Sequence, residues 1–157
     1  MAKTPLDCHE RALGLLAVRP RSRRELRTRL LRAGFEAGEV DGELERLEAV
    51  GLVDDDEFAR RVAEHELSVR LSGRRAIENR LAAKGVDRAT IDRALEDVGV
   101  PDEERALELA RDRARRLGGL RPEQAYSRLV SFLARRGYEP GIAHSAARAA
   151  LGAGTEE

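Results

Sequence analysis

Tryptophan is absent, and the aromatic residues are only Phe35, Phe58, Tyr126, Phe132 and Tyr138. A core built from this chain must therefore be filled by Leu, Val, Ile and Ala, which pack well between helices. So few rings also exclude base stacking as the main source of affinity for a nucleic acid, and with it sequence-specific recognition of single strands. The lone cysteine, Cys8, has no partner for an internal disulfide, which fits a reducing compartment. Apolar runs are only a few residues long, and Met1 to Glu10 contains Lys3, Asp7 and Glu10 where an export leader would be apolar. Neither export nor a membrane span is expected, and the expected location is the cytoplasm. No segment alternates polar and apolar residues with period two, so no strand is expected.

What the chain does have is charge: 37% of its 157 residues are charged and 41% hydrophobic. That length suits one ordinary domain or a few small modules, and a single large enzyme is not expected. Positive and negative charges cancel in total, with 29 of each, but they are segregated. Seven basic residues and one acid lie between Arg19 and Arg32, whereas nine acids and one base lie between Glu39 and Glu57. Segregation creates a surface potential that the total hides.

A repeat is visible. Leu30 to Phe35, Leu81 to Val86 and Leu133 to Tyr138 each read as leucine, three intervening residues, glycine, bulky apolar residue, and the glycines Gly34, Gly85 and Gly137 are 51 and 52 residues apart. Leu26, Ile77 and Leu129 precede those leucines by four residues, a helical spacing. Each glycine therefore reads as the C′ residue of a helix, where φ must be positive, with the next residue packing back on the helix end.

A following helix runs through Val40, Leu44 and Leu47, then through Ile91 and Leu95, then through Ile142, Ala146 and Ala150. A preceding helix is expected around Arg11 to Val18, another carrying Phe58, Val62, His65 or Glu66, and Val69, and a third carrying Leu107, Ala110 and Ala114. The expected fold is all-α: three tandem three-helix repeats forming an elongated array that is free to curve. The boundaries are 1–53 with a short N-terminal extension, 54–100 and 101–151, with a frayed tail at 152–157.

Most chemistry-bearing clusters have a plain structural explanation. Asp54-Asp55-Asp56 could hold a divalent ion or share a proton, but it precedes a helix, where aspartate serves as an N-cap and favours the positive end of the dipole. His9, His65 and His144 lie on separate elements without matching partners. Cys8 beside His9 points about 100° away on a helix and sits in a terminus expected to fray. Gly73 and Gly118-Gly119 fit neither a dinucleotide-binding nor a Walker pattern. No cofactor, metal or catalytic residue is expected.

The second helix of each repeat is basic. Arg23, Arg24, Arg27 and Arg29 lie on the first, Arg74, Arg75, Arg80 and Lys84 on the second, and Arg128, Arg135 and Arg136 on the third. Such runs are ordinarily solvated faces; stacked repeats would also align them into a discontinuous stripe suited to phosphates or an acidic protein groove.

Arg21-Ser22-Arg23-Arg24-Glu25-Leu26-Arg27 followed by Gly34, then Leu47 through Gly51-Leu52-Val53-Asp54-Asp55 to Phe58-Ala59, then Gly73, Ile77, Leu81 and Lys84-Gly85-Val86, resemble the signature of the RecX family of RecA recombinase regulators. The resemblance covers residues 11 to 151 and is loosest in the third repeat. It implies tandem three-helix repeats and a regulator that binds the RecA–DNA filament. Such a regulator inhibits recombinase, ATPase and coprotease activities by blocking filament extension or promoting disassembly, and so modulates DNA repair and the SOS response.

The family offers no catalytic residues to transfer. The residues expected to dock on the filament or on DNA are Arg23, Arg24, Arg27, Arg74, Arg75, Arg80, Lys84, Arg128, Arg135 and Arg136. A monomer is expected, with weak binding to naked single- or double-stranded DNA. The competing reading is a plain helical nucleic-acid-binding module that acts only by competing for DNA.

Overall fold

The computed structural model describes residues 4–99 and 101–152. Those residues form nine helices and no strand: α1 (Cys8–Val18), α2 (Arg23–Arg32), α3 (Ala37–Ala49), α4 (Asp55–Ser68), α5 (Arg74–Ala83), α6 (Arg88–Val98), α7 (Asp102–Ala114), α8 (Pro122–Arg135) and α9 (Pro140–Gly152). Grouped in threes, they are the tandem three-helix repeats expected from the glycine spacing. The frayed tail expected at 152–157 is corrected at its first residue, since Gly152 still belongs to α9, and the residues beyond it lie outside the described set.

Local chemistry explains the helix ends. Asp7 and Glu10 form a reciprocal capping box: the Glu10 N–H donates to Asp7 Oδ1 at 2.8 Å and the Asp7 N–H to Glu10 Oε2 at 3.0 Å. Helix α1 thus begins at Cys8, which is 3% exposed, so the expectation of a frayed start at Cys8 is corrected. At the C-termini of α2, α5 and α8, Gly34, Gly85 and Gly137 have φ of 98°, 86° and 94°. The N–H groups of Phe35, Val86 and Tyr138 reach back to the carbonyls of Leu30, Leu81 and Leu133, which is the Schellman closure at all three ends.

The helices pack into two compact units. The first holds the described residues up to Arg61 together with Leu81–Ala94, and the second holds Val62–Arg80 with the described residues from Leu95 onward. In the first, Cys8, Ala12, Leu26, Leu30, Val40, Leu44, Leu47 and Val53 make a contiguous core. In the second, Ala106, Leu109, Ala110, Leu133, Tyr138, Ala143 and Ala146 do so.

Two expected apolar stripes are rotated. On α4 the buried residues are Phe58, Ala59, Ala63, Glu66 and Leu67, while Val69 lies past the helix end and is 66% exposed. On α7 they are Arg105, Ala106, Leu109 and Ala110, with Leu107 and Ala114 only half-buried. In both cases small alanines let the helix approach its neighbours closely, a preference that a count of bulky residues misses.

One joint recurs within each unit. In the first, the start of α2 meets the end of α5: Ser22, the N-cap of α2, donates its hydroxyl to the Lys84 carbonyl. In the second, the start of α5 meets the end of α8: the Gly73 N–H donates to the Arg136 carbonyl at 2.7 Å and the Arg75 N–H to the Gly137 carbonyl at 3.2 Å. The approach is backbone on backbone. A Cβ on Gly73 would lie under 3.0 Å from main-chain atoms of Gly137 and Tyr138, and one on Gly137 equally close to Ala76.

The aspartates add a second link. Asp54 caps its own helix, accepting from the Glu57 N–H at 3.2 Å, but Asp55 accepts from the Arg23 N–H at 2.8 Å and so caps α2 instead. Asp102 serves α5 in the same way, through the Arg74 N–H at 3.0 Å.

Gly73→Ala is expected to destabilise the protein by about 2 kcal/mol or more, because backbone must shift. Gly42→Ala, in mid-α3 with nothing within 4 Å of the added Cβ, should stabilise it by about 0.5–1 kcal/mol. Urea unfolding of both variants checks the pair. Asp55→Ala should cost about 1 kcal/mol by losing the cap. Burial raises the Asp55 pKa and so penalises its charged form, an effect partly offset by the Arg23 N–H. That penalty is absent below the carboxylate range and appears as the pH rises through it, so Asp55→Asn should gain in melting temperature relative to the parent as pH increases from acid to neutral.

Candidate functional site

The ten cations singled out in the sequence divide by what holds them. In the first unit, Arg23 pairs through Nε with the Glu48 carboxylate, and Arg27 Nε lies 2.8 Å from Asp41 Oδ1. Arg24 and Lys84 form no ion pair among the described residues. The Arg24 stem packs over Gly85, and the Lys84 ammonium sits 6.0 Å from the centroid of the Phe58 ring. Together with Glu25, Thr28, Arg29, Arg32, Ala83 and Gly85, these two line an open cleft of about 440 Å³.

In the second unit, Arg74 Nε is 2.7 Å from Glu78 Oε1 and Arg80 Nε is 2.8 Å from Glu66 Oε1. Arg75 faces Glu139 at 3.9 Å, with both side chains more than half exposed. Arg136 donates to the Arg70 carbonyl and lies 5.4 Å from the centroid of Phe132. Arg128 and Arg135 are exposed, form no ion pair among the described residues, and line a second cleft of about 400 Å³ with Arg113, Leu117, Ser127, Ser131 and Phe132.

Arg80 is therefore a structural cation. Its partner Glu66 is 3% exposed and receives in addition the Ser72 hydroxyl at 2.7 Å and Arg70 at 3.8 Å. This network braces the α4–α5 loop, where Leu71 adopts φ of 51° and receives the Tyr138 hydroxyl on its carbonyl at 2.7 Å. Arg136 straps the same loop. Arg24, Arg75, Lys84, Arg128 and Arg135 remain as cations whose charge is little compensated from within.

Several residues that share the clefts fall outside the ten. Arg32 was legible, since it stands two residues before its glycine as Arg135 does. Arg113 comes from a different helix, and only packing brings it to α8.

Two of the three histidines have hydrogen-bond partners that the sequence did not show. His9 Nδ1 lies 2.5 Å from Oε1 of the buried Glu43, and His144 shares a hydrogen bond with the Tyr126 hydroxyl. Burial, followed by Glu39 and Glu43, raises the pKa of the Cys8 thiol, which makes it a poor nucleophile. Among the described residues no three His, Cys, Asp or Glu side chains converge as metal ligands.

Arg80→Ala leaves a buried carboxylate with weaker partners and should lower stability by about 1–3 kcal/mol, whereas Arg135→Ala should change it by less than about 0.5 kcal/mol. Thermal unfolding followed by circular dichroism separates the two.

Comparison with known proteins places this architecture. Profiles of the first, second and third three-helix domains of RecX match residues 8–47, 54–95 and 101–146. Proteins named regulatory protein RecX are similar along most of the chain. That of Amycolatopsis mediterranei is 39% identical over 132 residues, spanning 83% of this chain and 75% of its own. That of Mycolicibacterium smegmatis is 40% identical over 138 residues, spanning 84% and 73%. The crystal structure of RecX from Lactobacillus salivarius superposes with a TM-score of 0.80 at 18% identity, covering 91% of this chain and 94% of that one, a likeness of fold. With all three domains matched in order on the three helical repeats, the chain belongs to the RecX family of regulatory proteins.

Proposed function

We propose that this protein binds the RecA–DNA nucleoprotein filament and restrains recombinase, ATPase and coprotease activities by blocking filament extension or promoting disassembly, thereby tempering DNA repair and the SOS response. The observation behind this reading is the ordered match of three RecX domains to three repeats, each contributing cations from its second helix. The modules proposed to act are residues 1–53, 54–100 and 101–151, in a cytoplasmic monomer. Contacts that span adjacent filament subunits would favour one filament geometry over another. A ligand biases whichever state it binds better, so no covalent chemistry is required of the regulator.

Arg24, Arg75, Lys84, Arg128 and Arg135 are proposed as docking cations, because their charges are the least compensated from within. Arg23, Arg27, Arg74, Arg80 and Arg136 are proposed to contribute through the positions they hold.

Single-strand-dependent ATP hydrolysis by the cognate recombinase, with this protein titrated in and naked-DNA binding followed in the same buffer, tests the reading. Inhibition is expected well below one regulator per recombinase, at concentrations where naked DNA is mostly free. Inhibition appearing only as DNA saturates would favour competition for DNA, and no inhibition would overturn the proposal. Arg24→Glu combined with Arg75→Glu should raise the half-inhibitory concentration by about tenfold, a loss of 1.4 kcal/mol in docking, with helicity unchanged.

A further inference from the structure

The two clefts described above lie on the same face of repeat-equivalent helices. Counted from Gly34 and Gly137, Arg24, Glu25, Thr28, Arg29 and Arg32 on α2 correspond to Ser127, Arg128, Ser131, Phe132 and Arg135 on α8, 103 residues on. One exchange changes the electrostatics. The α2 cleft contains its own anion: Glu25 receives Arg19, Arg21 at 2.9 Å and Arg29 at 4.0 Å. Burial pushes the Glu25 pKa up, but the hydrogen bonds and charges of Arg19 and Arg21 outweigh it and hold the carboxyl below its usual range.

In the α8 cleft that position is Arg128. Arg113, Arg128 and Arg135 line it with no carboxylate, and the exposed hydroxyls of Ser127 and Ser131 have no hydrogen-bond partner among the described residues. Three guanidiniums and two hydroxyls can all donate to an external oxyanion, and a phosphate accepts more of these bonds than a carboxylate does. The one ring in the cleft, Phe132, has the guanidinium of Arg113 at 4.9 Å and that of Arg136 at 5.4 Å from its centroid. A ring so occupied cannot stack a base, so contact with a nucleic acid would be limited to the backbone.

We propose that the α7–α8 cleft is a phosphodiester site, gripping the backbone of a nucleic-acid strand through Arg113, Arg128 and Arg135 with Ser127 and Ser131 as further donors. The site extends the filament reading by assigning its nucleic-acid contact to the third repeat. With so few phosphates engaged it is a weak, salt-sensitive and sequence-independent contact.

The test is fluorescence anisotropy of a short dye-labelled oligothymidylate over a series of salt concentrations, with ATPase inhibition measured on the same preparations. Arg128→Glu with Arg135→Glu should weaken binding at low salt by about tenfold or more and flatten the salt slope by about 1.4, two single-strand phosphate contacts. Arg11→Glu with Arg148→Glu makes the same change in net charge at residues that do not line the cleft and should alter affinity by no more than about twofold. Ser127→Ala with Ser131→Ala keeps every charge and should weaken binding by about threefold to tenfold, which guards against a charge-reversal variant that misfolds.

Equal losses in the two charge-reversal pairs would overturn the site, as would failure of the parent protein to bind the oligonucleotide. Polyglutamate binding more tightly than the oligonucleotide, with the same dependence on Arg128 and Arg135, would overturn it in favour of an acidic protein segment. Oligonucleotide binding at the cleft without ATPase inhibition would uphold the site and sink the filament reading alone; inhibition without oligonucleotide binding would do the reverse.

Discussion

The interaction on which the rest depends is the joint between the start of one repeat's second helix and the glycine turn that ends the next repeat's second helix. A helix leaves its first N–H groups and last C=O groups without partners, and burying them unpaired is costly. Here each end supplies what the other lacks: Gly73 N–H meets Arg136 C=O, and Arg75 N–H meets Gly137 C=O. The turn must reverse the chain at positive φ and also let another backbone come within hydrogen-bonding distance. Glycine alone does both without strain or collision.

That joint dictates where charge falls. Cations are favoured near helix C-termini, and Arg32, Lys84 and Arg135 stand within two residues of the turns. The joint in each unit brings cations from the start of another helix beside them, as with Arg24 over Gly85. Like charges this close repel, and carboxylates from elsewhere offset the repulsion: Asp55 and Glu48 at the start of α2, Asp102 and Glu139 at the start of α5. Much of the sequence charge is thus compensated by ion pairs within a repeat, such as Arg23–Glu48, Arg27–Asp41 and Arg80–Glu66. What is left little compensated is a short set of cations, Arg24, Arg75, Lys84, Arg128 and Arg135, and that remainder is what the proposed docking rests on.

The buried charges follow the same logic. Glu43, Glu66 and Arg105 are each less than 7% exposed, and each is anchored by oppositely charged or polar side chains. With a core made chiefly of Leu, Val, Ile and Ala, loops are held by ion networks where a larger aromatic core would otherwise pack.

The repeat, the three Schellman turns and the basic second helices were legible in the sequence because they are local: a period of 51 or 52 residues, a glycine where φ must be positive, and a helical spacing of four. The rotated stripes of α4 and α7 were not, because alanine is neutral to periodicity but decisive for close approach. Asp55 read as a cap for its own helix, yet it caps α2, since a carboxylate can serve any N-terminus that folding brings to it. For the same reason the sequence could name Arg80 and Arg135 as equals, while only tertiary structure pairs the first with the buried Glu66 and leaves the second open beside Arg113. Identity and spacing determine which elements form; the availability of a charge depends on its neighbours in space, and those neighbours are fixed when the helices pack.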